Sequence, residues 1–445
     1  MAEVSEAKLN IVRGLIEQAP DKAVATLLMA LTADGGRDPA FAKVKAMLVS
    51  EAMDRKLRNQ VLAPLIGLCE APTAFTHIGF PTSAIAQVWR GLGAVAQAQV
   101  DEARSLAAGK AAEARTTEVF DDLCGIAAQR LRRRDQRHFV AAAESADSRS
   151  GAETLARCLD LAGLTRRAVA FLPAWLGAKM SEDHAASLRL AYRDAANIAD
   201  DGGLRFFEML ASHLDEPWRV LRLIAGAMSR PSDTYLAASE LGAFGERVLE
   251  DIDRQLAILR GLPANLSREG AAAAAGAAQL ALLEIGEIQT SLKLTPEGPW
   301  STRLADQRRT LALLAESHLN AIDAAIDRAL PMQAPGPRQR GAKPTPRLTL
   351  PPDPAAMATA SAYLWFAQDV RASANAGGFA TAHAKIAKIT EMRLDAYVED
   401  ILHVLRSEVV RQDDHARALL EAAAELIGVI RDEKAAERVR RRAAV

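Results

Sequence analysis

Apolar residues recur along this chain at spacings of three and four, and strict alternation of apolar with polar residues is hard to find. That period belongs to the helix, whose successive turns bring positions i, i+3 and i+4 onto one face. Over the first half it predicts helices near 5–18, 21–33, 39–69, 83–108, 111–134, 136–146, 151–162, 164–178, 182–200, 204–213 and 217–229. Short connections make consecutive helices antiparallel neighbours. No fixed repeat of roughly 30–45 residues emerges, so a solenoid of degenerate units stays open as one arrangement.

The pattern lengthens after Pro231, with helices expected near 233–262, 267–293 and 299–330. In the first, Leu241, Phe244, Val248, Ile252, Leu256 and Leu259 share a face. In the third, Leu304, Leu311, Ala315, Ile322, Ile326 and Ala329 do so. Antiparallel bundling buries such stripes. Residues 331–354 then hold 8 of the 19 prolines, with Arg338, Arg340, Lys343 and Arg347 against a single acid, Asp353. That composition predicts an extended, basic, semi-rigid linker. Three more helices follow near 354–375, 379–411 and 413–440, either as a free unit or packed back on the bundle. Asp353-Pro354 supplies a helix start, an acceptor followed by a residue that needs no N–H partner. Asp34-Gly35-Gly36, Asp201-Gly202-Gly203 and Gly377-Gly378 each follow an apolar-periodic stretch and look like helix stops.

The expected fold is therefore all-α. An array of short to medium antiparallel helices (1–230) precedes a long three-helix bundle (231–330), a Pro-rich basic linker (331–353) and a C-terminal helical segment (354–445).

Composition agrees. Alanine accounts for 92 of 445 residues, hydrophobic residues for 49% and aromatics for 4%. Alanine is the best helix former and is depleted in strands; a GC-rich genome would inflate it too. Small core side chains imply closely spaced helices. The formal net charge of -1 excludes a strongly basic nucleic-acid binder. Cys69, Cys124 and Cys158 are odd in number and far apart, which fits neither a disulfide framework nor a zinc site and points to a reducing compartment. The N-terminus MAEVSEAKLN lacks the basic and apolar regions of a secretory signal. The most apolar stretch, Ala271–Leu283, is too short to span a bilayer. A soluble cytoplasmic protein is expected.

Chemistry is sparse. Gly336-Pro-Arg-Gln-Arg-Gly341-Ala-Lys343 is not a phosphate loop, because Ala342 separates the glycine from the lysine and no strand precedes it. Asp400 and His403 lie one helical turn apart, but one pair supplies too few ligands for a metal. His383 sits near Lys385 and Lys388 without the order of a phosphotransfer histidine. No cofactor and no metal is expected.

The segment Glu70 to Ser83 reads EAPTAFTHIGFPTS and carries Phe75, His77 and Phe80. It is either a compact loop packed by its own apolar side chains or a loop that meets a partner. Arg130, Arg132, Arg133, Arg134 and Arg137 gather at a helix end, where cations complement the dipole. Arg438, Arg440, Arg441 and Arg442 form a basic tail able to contact an anion.

The first expectation is a non-catalytic helical scaffold or adaptor with another protein as partner. The second is a peripheral membrane or nucleic-acid factor using the arginine clusters. The third is a helical signalling protein or enzyme with a site at His383, His403 or His77.

Overall fold

The computed structural model describes residues 6–33, 39–69, 75–109, 113–177, 180–263, 266–334, 343–406 and 413–443. The protein is all-α: 81% helical, with 22 α-helices and one two-stranded ribbon among the described residues. Two compact units divide the chain, Met1–Ser229 and Arg230–Val445.

The first unit contains α1 (Glu6–Gln18), α2 (Asp21–Ala33), α3 (Pro39–Val61), α4 (Ala63–Ile66), α5 (Thr82–Val95), α6 (Gln97–Ala108), α7 (Glu113–Arg133), α8 (Arg137–Asp147), α9 (Ala152–Asp160), α10 (Ala162–Trp175), α11 (Glu182–Ile198), α12 (Gly202–Ala211) and α13 (Val220–Ala227). The expected helix over 39–69 breaks at Leu62, because Pro64 at the start of α4 has no N–H to continue the ladder. Helix α5 buries Ile85, Val88, Trp89 and Leu92 and packs on α8. Gly91 permits that approach, since a Cβ there would lie 2.7 Å from the Phe139 ring. Gly202 also serves close packing and not a left-handed stop. It opens α12, and a Cβ would meet the Ala195 carbonyl oxygen at 2.0 Å. The Gly35–Gly36 pair lies outside the described residues.

The second unit contains α14 (Asp233–Ala237), α15 (Gly242–Arg260), α16 (Arg268–Ser291), α17 (Ser301–Ala329), β1 (Met332–Gln333), β2 (Thr345–Pro346), α18 (Pro354–Asp369), α19 (Ala374–Gly377), α20 (Ala380–Arg406), α21 (Asp413–Ile430) and α22 (Glu433–Ala443). The helix expected over 233–262 is two helices. Ser239 stops the first by donating its hydroxyl to the Leu236 carbonyl and accepting from the Leu241 N–H, the local bonding by which serine competes with a helix. Asp353 caps α18 through the Ala355 N–H at 3.1 Å. Gly378 closes α19 with φ +79°, a left-handed stop of the kind its sequence suggests.

The linker differs from its expected extended form. Its ends turn back on each other: β1 and β2 pair antiparallel, Met332 opposite Pro346, and the Arg347 N–H reaches the Pro331 carbonyl at 3.0 Å. Proline is tolerated because each strand of a two-stranded ribbon has an outer edge. Arg338 and Arg340 lie outside the described residues. Beyond the ribbon, α18 packs on both α16 and α17, and α20 packs on α17.

Small residues set the spacing in this bundle. Ala271, Ala274, Ala275, Ala277, Ala278 and Ala281 of α16 are all buried. By length and composition α16 could cross a membrane, and 56% of its apolar window is buried within the protein. Gly245 on α15 admits the indole of Trp300, whose Nε1 donates to Glu246. A Cβ at position 245 would sit 2.2 Å from the ring. Overpacking of this kind costs about 3 kcal/mol. We expect Gly245→Ala to lower the urea midpoint of the second unit, read by circular dichroism, with an unchanged midpoint refuting the tight fit.

Candidate interaction surface

Helices α1, α2 and α3 form a layer with a very small core of its own. Among its described residues the buried apolar cluster is Ile16, Val24 and Leu48, ringed by partly buried residues such as Val12, Leu28 and Met47. Against that stand large apolar side chains turned to solvent. Ile11 and Leu15 of α1, Leu27 and Met29 of α2, and Val49 and Met53 of α3 are 37–66% exposed. Ile11 with Leu15, and Val49 with Met53, are one turn apart and so form short apolar ladders.

Polar contacts hold the layer where apolar ones are few. Arg55 of α3 is only 7% exposed. Its Nη2 donates to the Ile16 and Glu17 carbonyls at 2.8 and 3.3 Å, and its Nη1 to the Ala19 carbonyl and Asp21 Oδ1 at 2.8 and 2.7 Å. Its Nε donates to Glu51 at 2.7 Å. One guanidinium thus satisfies the carbonyl end of α1, the first residue of α2 and a carboxylate of α3. A cation belongs at that end of a helix on dipole grounds as well.

The segment ending at Pro81 is packed down. Phe75 and Phe80 are buried, and Phe75 meets Trp218 with ring centroids 6.2 Å apart. The Phe80 N–H reaches the Leu68 carbonyl, and the Gly79 N–H reaches the Ser150 hydroxyl at 2.9 Å. Of the three residues singled out there, His77 alone is exposed, and its backbone N–H donates to the buried Glu208 at 3.3 Å. Arg205 also donates to Glu208, at 2.9 Å. Residues 70–74 lie outside the described residues.

The arginine runs are largely matched by local acids. Arg440 pairs with Glu421 and Glu433, Arg441 with Glu437, and Arg442 with Glu399. Arg438 is exposed and has no ion pair among the described residues. In the earlier run, Arg130 pairs with Asp135, Arg132 with Glu153 and Asp160, and Arg134 with Asp147.

The histidines are scattered. The His383 ring meets the Ala367 carbonyl at 2.8 Å, and His403 makes no hydrogen bond with Asp400. These two stand about 30 Å apart along α20, at 1.5 Å per residue. His318 meets the Leu259 carbonyl, and burial lowers its pKa. Burial pushes the Cys124 thiol up to about 12 and raises Cys158 as well, so neither offers a thiolate at neutral pH. Among the described residues no group of three acids, histidines or cysteines is placed to hold a metal ion.

One polar seam lies inside the second unit. Arg247 and Asp251 of α15 and Glu284 and Glu287 of α16 are all buried. No donor group reaches either carboxylate oxygen of Glu284, and only as a protonated acid can it hydrogen-bond the neighbouring Asp251. Burial, reinforced by the Asp251 carboxylate and opposed by Arg254, pushes Glu284 up to about 10. The group is therefore a neutral acid at pH 7.

No protein-family model, no curated protein and no solved structure matches this chain.

Proposed function

We propose that the protein is a soluble, cytoplasmic, non-catalytic helical scaffold, and that α1–α3 carry its contact with another protein. The supporting observation is the imbalance among the described residues of that layer: three buried apolar residues in its own cluster against six large apolar side chains in solvent. Covering a fully exposed side chain of this size gains about 1.5–3 kcal/mol, and these, already part-covered, would gain about half of that; apolar side chains grouped on a surface mark interaction sites. Helices presenting one-turn apolar ladders suit helix-on-helix recognition.

The test is affinity capture from the native cell, with mass spectrometry, comparing the wild type with a Leu15→Asp/Met53→Asp variant. Both positions are 64% exposed, so the variant should keep its far-ultraviolet spectrum. We expect a specific partner held by the wild type and lost from the folded variant. An identical set of retained proteins from both would remove the reading.

A further inference from the structure

A cavity of about 340 Å³ lies in the first unit, walled by α1, α3, α5 and the start of α8. Most of its charged groups are already committed. Arg55 and Arg58 are tied to Asp21, Glu51 to Arg55, and Asp54 to Trp89 Nε1 and Arg104.

Among the described residues, three of its charged groups have no ion pair: Arg90, Arg137 and Glu17. Arg90 has one bond, to the Glu17 carbonyl at 2.6 Å, and no carboxylate partner. Arg137 has no carboxylate partner either, and its Nε donates to His138 Nε2 at 3.3 Å. The Glu17 carboxylate makes no ion pair. His138 Nδ1 then carries the ring proton and donates to Gln87 Oε1 at 2.9 Å. Burial, then the nearby Arg137 and Arg90 guanidiniums, lower the His138 pKa.

We propose that this cavity binds a small phosphorylated metabolite, its phosphate held by Arg90 and Arg137 and its hydroxyl-bearing part turned toward Glu17. Two guanidiniums present several N–H donors in planar forks, the geometry that suits a phosphate's oxygens. The cavity exceeds the size of a bare phosphate and falls at the lower end of small-molecule sites, which run about 300–1,000 Å³. Glu17, an acceptor without a partner, repels the phosphate and favours donors on the rest of the ligand. This site is separate from the exposed ladders above, and its walls join α1 and α3 to α5 and α8.

The experiment is calorimetric titration of the full chain at low salt with inorganic phosphate, glycerol 3-phosphate and glycerol. We expect saturable binding of both phosphates, tighter for glycerol 3-phosphate, and none for glycerol. Arg137→Gln touches only a neighbouring ring nitrogen, so it should fold normally while weakening both phosphates at least tenfold. Glu17→Gln should tighten inorganic phosphate and narrow the advantage of glycerol 3-phosphate. No saturable phosphate binding by the wild type, or equal binding by Arg137→Gln, overturns the assignment. Preference for inorganic phosphate unchanged by Glu17→Gln overturns the placing of the organic part.

Discussion

Arg55→Ala should release α1 and α2 from α3 while leaving the rest of the first unit folded. The wild-type guanidinium makes five hydrogen bonds within 3.3 Å, three of them to backbone carbonyls at the end of α1. Removing it takes the side-chain donor from the Ala19 carbonyl, leaves the Ile16 carbonyl to the Ala19 N–H and the Glu17 carbonyl to Arg90, and deprives the Asp21 and Glu51 carboxylates of a partner. Arg55 is buried but Asp21 is half exposed and keeps Arg58, so the loss is that of charge-assisted hydrogen bonds, about 1.5–3 kcal/mol. The layer's own apolar cluster of Ile16, Val24 and Leu48 is too small to absorb such a loss. Hydrogen exchange by mass spectrometry would show it as faster exchange across 6–33, with α5, α8 and α9 still protected. Arg55→Lys should recover part of the protection, because an ammonium has three donors where guanidinium has five. Unchanged exchange in the alanine variant would mean that apolar packing alone seats the layer.

The second large effect is a dependence on pH centred on Glu284. Its folded pKa is pushed up to about 10, against an ordinary value of 4.5. The folded state therefore holds a proton that the unfolded chain releases between those values. The stability difference is greatest below the unfolded value, where the acid is neutral in both states. It declines as pH rises toward the folded value, by about 1.4 kcal/mol per pH unit for one proton. Glu284→Gln keeps the shape and removes the proton. Urea titrations at pH 6 and pH 9 should show the variant gaining on the wild type by up to about 4 kcal/mol between them. Parallel profiles would show that Glu284 is charged in the folded protein.

The fold class was readable from periodicity because helix formation is local. The stripe Leu241, Phe244, Val248, Ile252, Leu256, Leu259 needs no knowledge of a partner to be assigned, and all six residues are buried. Breaks within helices were less visible. Ser239 stops a helix through two hydrogen bonds that alanine-rich surroundings do not announce. The return of the 331–347 segment on itself was illegible for a different reason: proline-rich composition sets stiffness but says nothing about which ends meet.

The surface residues were hidden by the same pattern that gave away the helices. Val12 and Ile16 face the layer's cluster, while Ile11 and Leu15 run beside them in solvent. A signal existed, because two adjacent apolar ladders on a helix of 13 residues make a stripe wider than one small layer covers. The buried acids had a weaker one: Glu284 and Glu287 bracket Ile285 and Ile288 on α16, so a face that buries the isoleucines draws the acids in. Arg90, Arg137 and Glu17 come from three separate helices, and no linear spacing joins them.

The paired ends of the proline-rich segment bear on how this half of the molecule could be rearranged. With Arg347 bonded to Pro331 and α18 lodged against α16 and α17, covalent continuity through positions 335–342 is not what keeps the final helices in place. New chain termini could be opened there, or a foreign domain spliced in, and the pieces on either side would still reassemble as one body.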